Sequence, residues 1–195
     1  MSDGLIPAGD GHTELDEDER HDLIPTYIAT RRELFDAEQR NITKAVLRPP
    51  PTIERLLDDK YLRDLHRSMF GDVWSWAGRY RTRETNIGVE PAFISTSVRA
   101  LVDDARTWVE RSTYPPDEIG ARFHHRVVAV HPFVNGNGRH GRVAADLLVM
   151  ALGGSAFSWG AGLSVSTDEL RRSYRGALVE ADHGDLSALL NFVRS

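Results

Sequence analysis

Hydrophobic positions along this chain recur mostly at helical spacing. Ile119, Phe123, Val127 and Val130 step by four, four and three residues, which predicts an amphipathic helix over 117–130. Pro132 disfavours helical backbone at His131, so this histidine is expected just past the helix end. Downstream, Val143, Leu147 and Ala151 line one face while Ala144, Leu148 and Leu152 line the next. A helix apolar on two adjoining faces belongs at the centre of a fold. Thr30 and Glu33 form a capping-box pattern for a helix running to about Leu47, where Pro49, Pro50 and Pro51 stop it. Residues 53–70 predict a helical region with Leu62, Leu65 and Met69 inward and Gly71 as its stop. Val98, Leu101, Val102, Ala105, Trp108 and Val109 mark another helix. Ser166 and Glu169 cap a further one, with Leu170, Tyr174, Leu178 and Ala181 inward, and Leu186, Leu189, Leu190 and Val193 close the chain.

Between Arg79 and Ser95 the helical period fails. Tyr80, Thr82, Thr85, Ile87, Val89, Phe93 and Ile94 supply strand-forming types around Asn86-Ile87-Gly88, which predicts a short β-hairpin. The fold class expected is therefore all-α, a mainly helical bundle with one hairpin. Residues 1–29 are polar and turn-rich, with an acidic run from Glu14 to Glu19, and read as a leader. Residues 30–195 read as one domain. The apolar stretch Leu23 to Ile28 is expected to dock on that domain's own core or on a second subunit, the former preferred; oligomeric state stays open.

Composition changes the picture only at the margins. With 195 residues and 41% apolar content, the chain can bury one sizeable core. The absence of cysteine excludes disulfides and thiolate metal sites and fits a cytoplasmic protein. A net charge of -5 gives no reason to expect nucleic acid as the partner. The N-terminus carries no secretory pattern. The apolar run Val143 to Leu163 is interrupted by Asp146 and by Gly153, Gly154, Gly160 and Gly162, so a core helix and a glycine-rich loop are expected rather than a membrane span.

The chemistry is concentrated in His131 to Arg142, H-P-F-V-N-G-N-G-R-H-G-R. Histidine exchanges protons near neutral pH, its unperturbed pKa being ~6.5. Asn135, Gly136, Asn137 and Gly138 suit a tight turn whose amides approach an anion closely. Arg139 and Arg142, at i and i+3, are expected to leave one face of the following helix's first turn, where cationic forks receive phosphate oxygens. Phe133 is expected to anchor the loop in the core, and His140 to lie at the surface or behind the site.

These twelve residues resemble the signature of the Fic (Fido) family, H-P-F-x-[D/E/N]-G-N-G-R-x-x-R, with every fixed position filled. Leu65 to Arg81, Phe123 to Arg142 and Tyr174 to Phe192 also resemble Fic core stretches, in the family's order. The whole chain is most similar to the bacterial subgroup labelled mobile mystery protein B. The resemblance implies transfer of AMP from ATP to a Ser, Thr or Tyr hydroxyl of a target protein, self-modification included. His131 would be the base. Gly136, Asn137 and Gly138 would cradle phosphates, and Arg139 and Arg142 would hold the distal ones. Asn86, Ile87 and Gly88 would form the flap that registers the target by strand addition. Asn135 occupies the position where many members place a magnesium-binding carboxylate; a neutral amide is the weaker ligand, so Mg2+ is expected to be carried mainly by the ATP phosphates.

Glu38 has two readings. It lies four residues from both Leu34 and Ile42 on an apolar face shared with Phe35, Ala45 and Val46, where a carboxylate is costly to bury unpaired. By resemblance, helix 30–47 would be an inhibitory helix whose glutamate pairs with the motif's second arginine, Arg142. The family pattern [S/T]-x-x-x-E-[G/N] is broken here by Leu34 and Gln39. The other reading is a glutamate at the margin of a partly exposed face.

Rival functions remain. A metallohydrolase built from His124, His125, His131 and His140 is disfavoured, since adjacent His124 and His125 point apart on a helix and no H-E-x-x-H occurs. A kinase or other phospho-group transferase on the Fic scaffold, and a catalytically weak nucleotide-binding or toxin-antitoxin module, both stay open.

Overall fold

The computed structural model describes residues 21–195. Among them the elements run α1 (Arg31–Val46), α2 (Ile53–Leu56), α3 (Asp59–Phe70), a 3-10 turn (Pro91–Phe93), α4 (Ile94–Glu110), α5 (Pro116–Val130), α6 (Asn137–Ala151), α7 (Thr167–Asp182) and α8 (Ser187–Arg194). The all-α expectation holds.

Local chemistry sets most boundaries. Thr30 and Glu33 form the reciprocal capping box at the start of α1, and Ser166 and Glu169 repeat it on α7. The helical region expected over 53–70 is two helices. Asp58 interrupts it, its carboxylate accepting from the Tyr61 amide at 3.2 Å as an N-cap in extended conformation.

The helices α5 and α6 form the most extensive pairing. One core cluster joins them to α3 and α4 through Met69, Phe70, Leu101, Phe123, Val127, Ala144 and Leu148. A second joins their far side to α7 and α8 through Ala121, Ala145, Val149, Ala177 and Leu189. Having a neighbour on each side is what makes α6 apolar on adjoining faces. No helix among the described residues is long and apolar enough to cross a membrane.

The leader expected over 1–29 lies mostly outside the described residues; its last part docks on the core. The Ile24 amide donates to Val73 O at 2.9 Å, the Ser75 amide to Asp22 O at 3.0 Å, and Leu23 makes an isolated antiparallel bridge with Trp74. Ile28 is buried.

The hairpin expected between Arg79 and Ser95 is corrected. The segment goes out and returns with no strand ladder among the described residues. Its closure comes from the Arg81 side chain, which donates from Nη1 to Arg83 O at 2.9 Å and from Nη2 to Val89 O. Strand-forming side chains without cross-strand partners do not make a sheet, and here a buried guanidinium takes up the carbonyls that a ladder would have paired.

Candidate active site

The loop between α5 and α6 is built by closing two helix ends onto each other. His131 caps α5 in the left-handed region, φ 51°, its amide still bonded to Val127 O. Pro132 forbids continuation, as the sequence predicts. Phe133 is fully buried and stacks on the His66 ring at 3.7 Å between centroids. Asn137 then folds back: its Oδ1 accepts from the Phe133 amide and its Nδ2 donates to Phe133 O, both at 2.9 Å. Gly136, at φ 78°, turns the chain into α6. A Cβ there would stand 2.6 Å from the Phe70 ring, so position 136 needs glycine for conformation and for space. The amides of Asn137, Gly138 and Arg139 open α6 and have no partner within the helix, the ordinary condition of a helix N-terminus and one suited to an anion.

The two arginines do not act from one face. Arg139 turns toward α1 and α3: its Nη1 donates to Glu38 Oε2 at 2.6 Å, and its guanidinium lies 4.9 Å from the Phe70 ring. Arg142 turns toward α7, 5.4 Å from the Tyr174 ring and 6.0 Å from Trp159. A three-residue step on a helix leaves the side chains roughly 60° apart, enough for each to find a different neighbour. The partner expected for Glu38 is likewise corrected. Glu38, 6% exposed, pairs with Arg139 rather than Arg142, and its second oxygen accepts from Trp74 Nε1 at 2.7 Å. It is a buried, doubly satisfied carboxylate, not one at an exposed margin.

The flap candidates divide. Gly88, φ 104°, passes so close to the histidine that a Cβ on it would stand 2.6 Å from His131 Cβ. Asn86 and Ile87 face solvent, and Ile87 O accepts from Thr85 Oγ1. Asn135 turns its side-chain oxygen inward onto the neighbouring Gly136 amide at 2.6 Å.

Against this geometry stand the relatives. The Fic/DOC family profile matches residues 56–149. A protein adenylyltransferase of Caenorhabditis elegans, fic-1, is 30% identical over 145 residues. The chain carries a Fic/DOC domain. The matched part covers 70% of this chain but 26% of that relative, so the chain spans about a quarter of its length. The solved structure of C. elegans Fic-1 (residues 134–508) superposes with a TM-score of 0.59 at 27% identity, covering 83% of this chain and 45% of that one. The BepC protein of Bartonella tribocorum, a VirB-translocated effector solved with bound AMPPNP, gives a TM-score of 0.67 at 19% identity, covering 95% and 93%.

Electrostatics favours a neutral imidazole at position 131. Burial pushes the His131 pKa down and the Arg81 charge adds to it, against the opposing pull of the Val128 carbonyl. Of the two places expected for His140, at the surface or behind the site, it takes the second: it is buried and donates from Nε2 to Leu62 O at 2.9 Å, and burial brings its pKa to about 4. His124 is buried beside α7, its Nε2 2.8 Å from Tyr174 Oη, and burial with the Arg142 charge brings it to about 3. His125 is spent on Asp182 at 2.7 Å. Among the described residues no cluster of three or more His, Cys, Asp or Glu side chains could hold a metal, which disposes of the metallohydrolase arrangement there.

Sequence reasoning missed four residues that shape the Fic site. His66 accepts the Gly78 amide at Nδ1 and bonds Asn135 O through Nε2, both at 3.0 Å, so its tautomer is fixed with the proton on Nε2. Its position on the inward face of α3, between Leu62 and Phe70, was the available signal. Trp74 and Arg81 act on groups 36 and 50 residues away and leave no local trace. Asp146, one turn after Arg142, accepts from the Phe157 amide at 3.0 Å and from Trp159 Nε1, and burial raises its pKa to about 6.

Proposed function

We propose that this chain transfers AMP from ATP to a Ser, Thr or Tyr hydroxyl of a target protein. The observation that carries the reading is the complete Fic motif folded as a closed loop at the α6 N-terminus, with His131 held beside Gly88. The adenylyltransferase name of the C. elegans relative points the same way, as does the ATP analogue bound to the BepC structure.

In this reading His131 takes the proton of the attacking hydroxyl, the new O–P bond forms at the α-phosphorus, and pyrophosphate leaves. The depressed His131 pKa keeps the imidazole unprotonated for that task. Amides of Asn137 and Gly138 at the helix N-terminus oppose charge developing on the phosphates. Arg139 and Arg142 bind distal phosphate oxygens, and Arg139 must first leave Glu38 to do so. Glu38 is thereby the regulatory residue, acting on the first arginine of the motif. Asn86, Ile87 and Gly88 are the segment on which the target's backbone lies.

Magnesium does not find a cage in these residues. Asn135 is neutral and its oxygen is engaged with Gly136, so an ion would come with the ATP phosphates and their water, and no step above runs through one.

Parallel incubations of the full chain and a panel of candidate proteins with α-labelled and γ-labelled ATP test the reading. Protein-bound α-label in the wild type, lost in His131→Ala, is the expected result. Transfer of γ-label identifies a kinase, and absence of both leaves a binding module. The rate should fall on the acid side through a midpoint below ~6.5, the ordinary histidine value.

A further inference from the structure

Arg81 is 4% exposed, and among the described residues its side chain donates only to neutral carbonyls. Nε donates to His131 O at 2.7 Å, Nη1 to Arg83 O and Nη2 to Val89 O. Its own amide donates to Pro132 O at 2.9 Å, and the Val89 amide donates to Val130 O at 3.3 Å. Three consecutive carbonyls of the loop, at 130, 131 and 132, are thus held by one crossing segment. Among the described residues no carboxylate forms an ion pair with Arg81, which is unusual because a buried cation is costly without a counter-charge.

We propose that Arg81 is a positioning residue for His131, clamping segment 81–89 across the His131 carbonyl and so fixing the imidazole's place beside the cleft. A left-handed non-glycine residue persists only where its surroundings over-determine it, and the clamp supplies three of the constraints at this point. The five donors of a guanidinium fork reach carbonyls on both arms of the crossing segment and on the loop, which a lysine's single nitrogen cannot span. The missing counter-ion has a consequence as well. The Arg81 charge stays unneutralised and disfavours protonation of His131; the Val128 carbonyl on the histidine's own helix pulls the other way, and Arg81 is the charged group acting on it from the crossing segment. The catalytic consequence rests on His131 being the base, as proposed above; the clamp itself does not.

The test uses the full chain with Arg81→Gln and Arg81→Lys, each checked for folding by thermal melt, and with Gly88→Ala, whose added Cβ would stand 2.6 Å from His131 Cβ and 2.7 Å from Arg81 Nη2 and so disturbs the clamp from the flap side. His131 titration is followed by NMR without nucleotide, and AMP transfer is followed as kcat and KM for ATP. In Arg81→Gln the His131 midpoint should rise and kcat fall by about 10- to 100-fold, with KM for ATP within about two-fold, since a misplacement near 1 Å has that scale of effect. Arg81→Lys keeps the charge but not the fork, so the midpoint should stay near wild type while kcat still falls. Gly88→Ala should also lower kcat. An unshifted His131 midpoint in Arg81→Gln, or a loss confined to KM, overturns the clamp, and unfolding of Arg81→Gln leaves the other two variants to decide by the same kcat criterion. Wild-type protein that transfers no label overturns the transferase reading alone, because the titration judges the clamp without activity.

Discussion

Glu38 Oε2 receives Arg139 Nη1 at 2.6 Å, joining the middle of α1 to the first turn of α6 across 101 residues of chain. The same carboxylate holds Trp74, whose backbone bridges Leu23. One acidic group therefore links the docked leader, the entry helix and the loop that opens α6.

Replacing it should separate stability from binding. Glu38→Gln keeps an acceptor for Trp74 but leaves the partly buried Arg139 charge unmatched, so denaturant melts should show a loss of about 2 kcal/mol. Calorimetry should show ATP binding several-fold tighter, because Arg139 is no longer engaged. Equal affinity in the two proteins would mean that Glu38 does not restrain Arg139.

The two glycines of the motif should respond differently to alanine. At Gly136 the left-handed backbone costs about 1–2 kcal/mol, and the contact with Phe70 adds about 1–3 kcal/mol of overpacking. At Gly138 the nearest atom to an added Cβ is Tyr174 Oη at 3.8 Å, an ordinary contact. Thermal melts should lose several degrees for Gly136→Ala and change little for Gly138→Ala; similar losses at both would contradict the geometry.

Asp146 should impose its own pH dependence. Its folded pKa of about 6 lies above the unfolded carboxyl value of ~3.9, so the folded state binds the proton more tightly. The stability it contributes is therefore full below the unfolded value and is lost as pH rises through about 6. Two pKa units correspond to about 3 kcal/mol. Asp146→Asn keeps an oxygen for the Phe157 amide and the Trp159 indole, and its stability relative to wild type should improve by roughly that amount between pH 4 and pH 7 in urea melts. A difference independent of pH would show that Asp146 titrates normally.

Asn135→Asp tests the metal. The carboxylate should raise apparent magnesium affinity in the transfer assay and increase turnover, since a charged oxygen is the better ligand for a hard cation. The idea fails if both are unchanged.

Where sequence and structure agree, the information is local. Capping boxes at Thr30 and Ser166, the stop at Pro132 and the two apolar faces of α6 follow from residues within a turn of one another. The Fic loop was legible for the same reason, being twelve contiguous residues. What could not be read depends on contacts across the fold. The resemblance gives Glu38 the motif's second arginine, and nothing local corrects it, because two guanidinium groups three residues apart are equivalent until α1 and α7 are placed on either side. The hairpin was over-read because its strand-forming types do not reveal that Arg81 takes the carbonyls. For His140 the surface and the interior stay equally open in the sequence, because nothing near it announces the Leu62 carbonyl that accepts from it.

Asn137 offers its carboxamide to a single residue, giving Phe133 one acceptor and one donor as a neighbouring strand would. The three-residue span between them is thus cyclised by hydrogen bonds when the chain folds. A phosphate arriving at the α6 N-terminus meets amides whose orientation is already set, and the entropy of shaping that loop is lost at folding rather than at binding. Binding to such a site should order little backbone here, and nucleotide should leave amide hydrogen exchange at Phe133 almost unchanged.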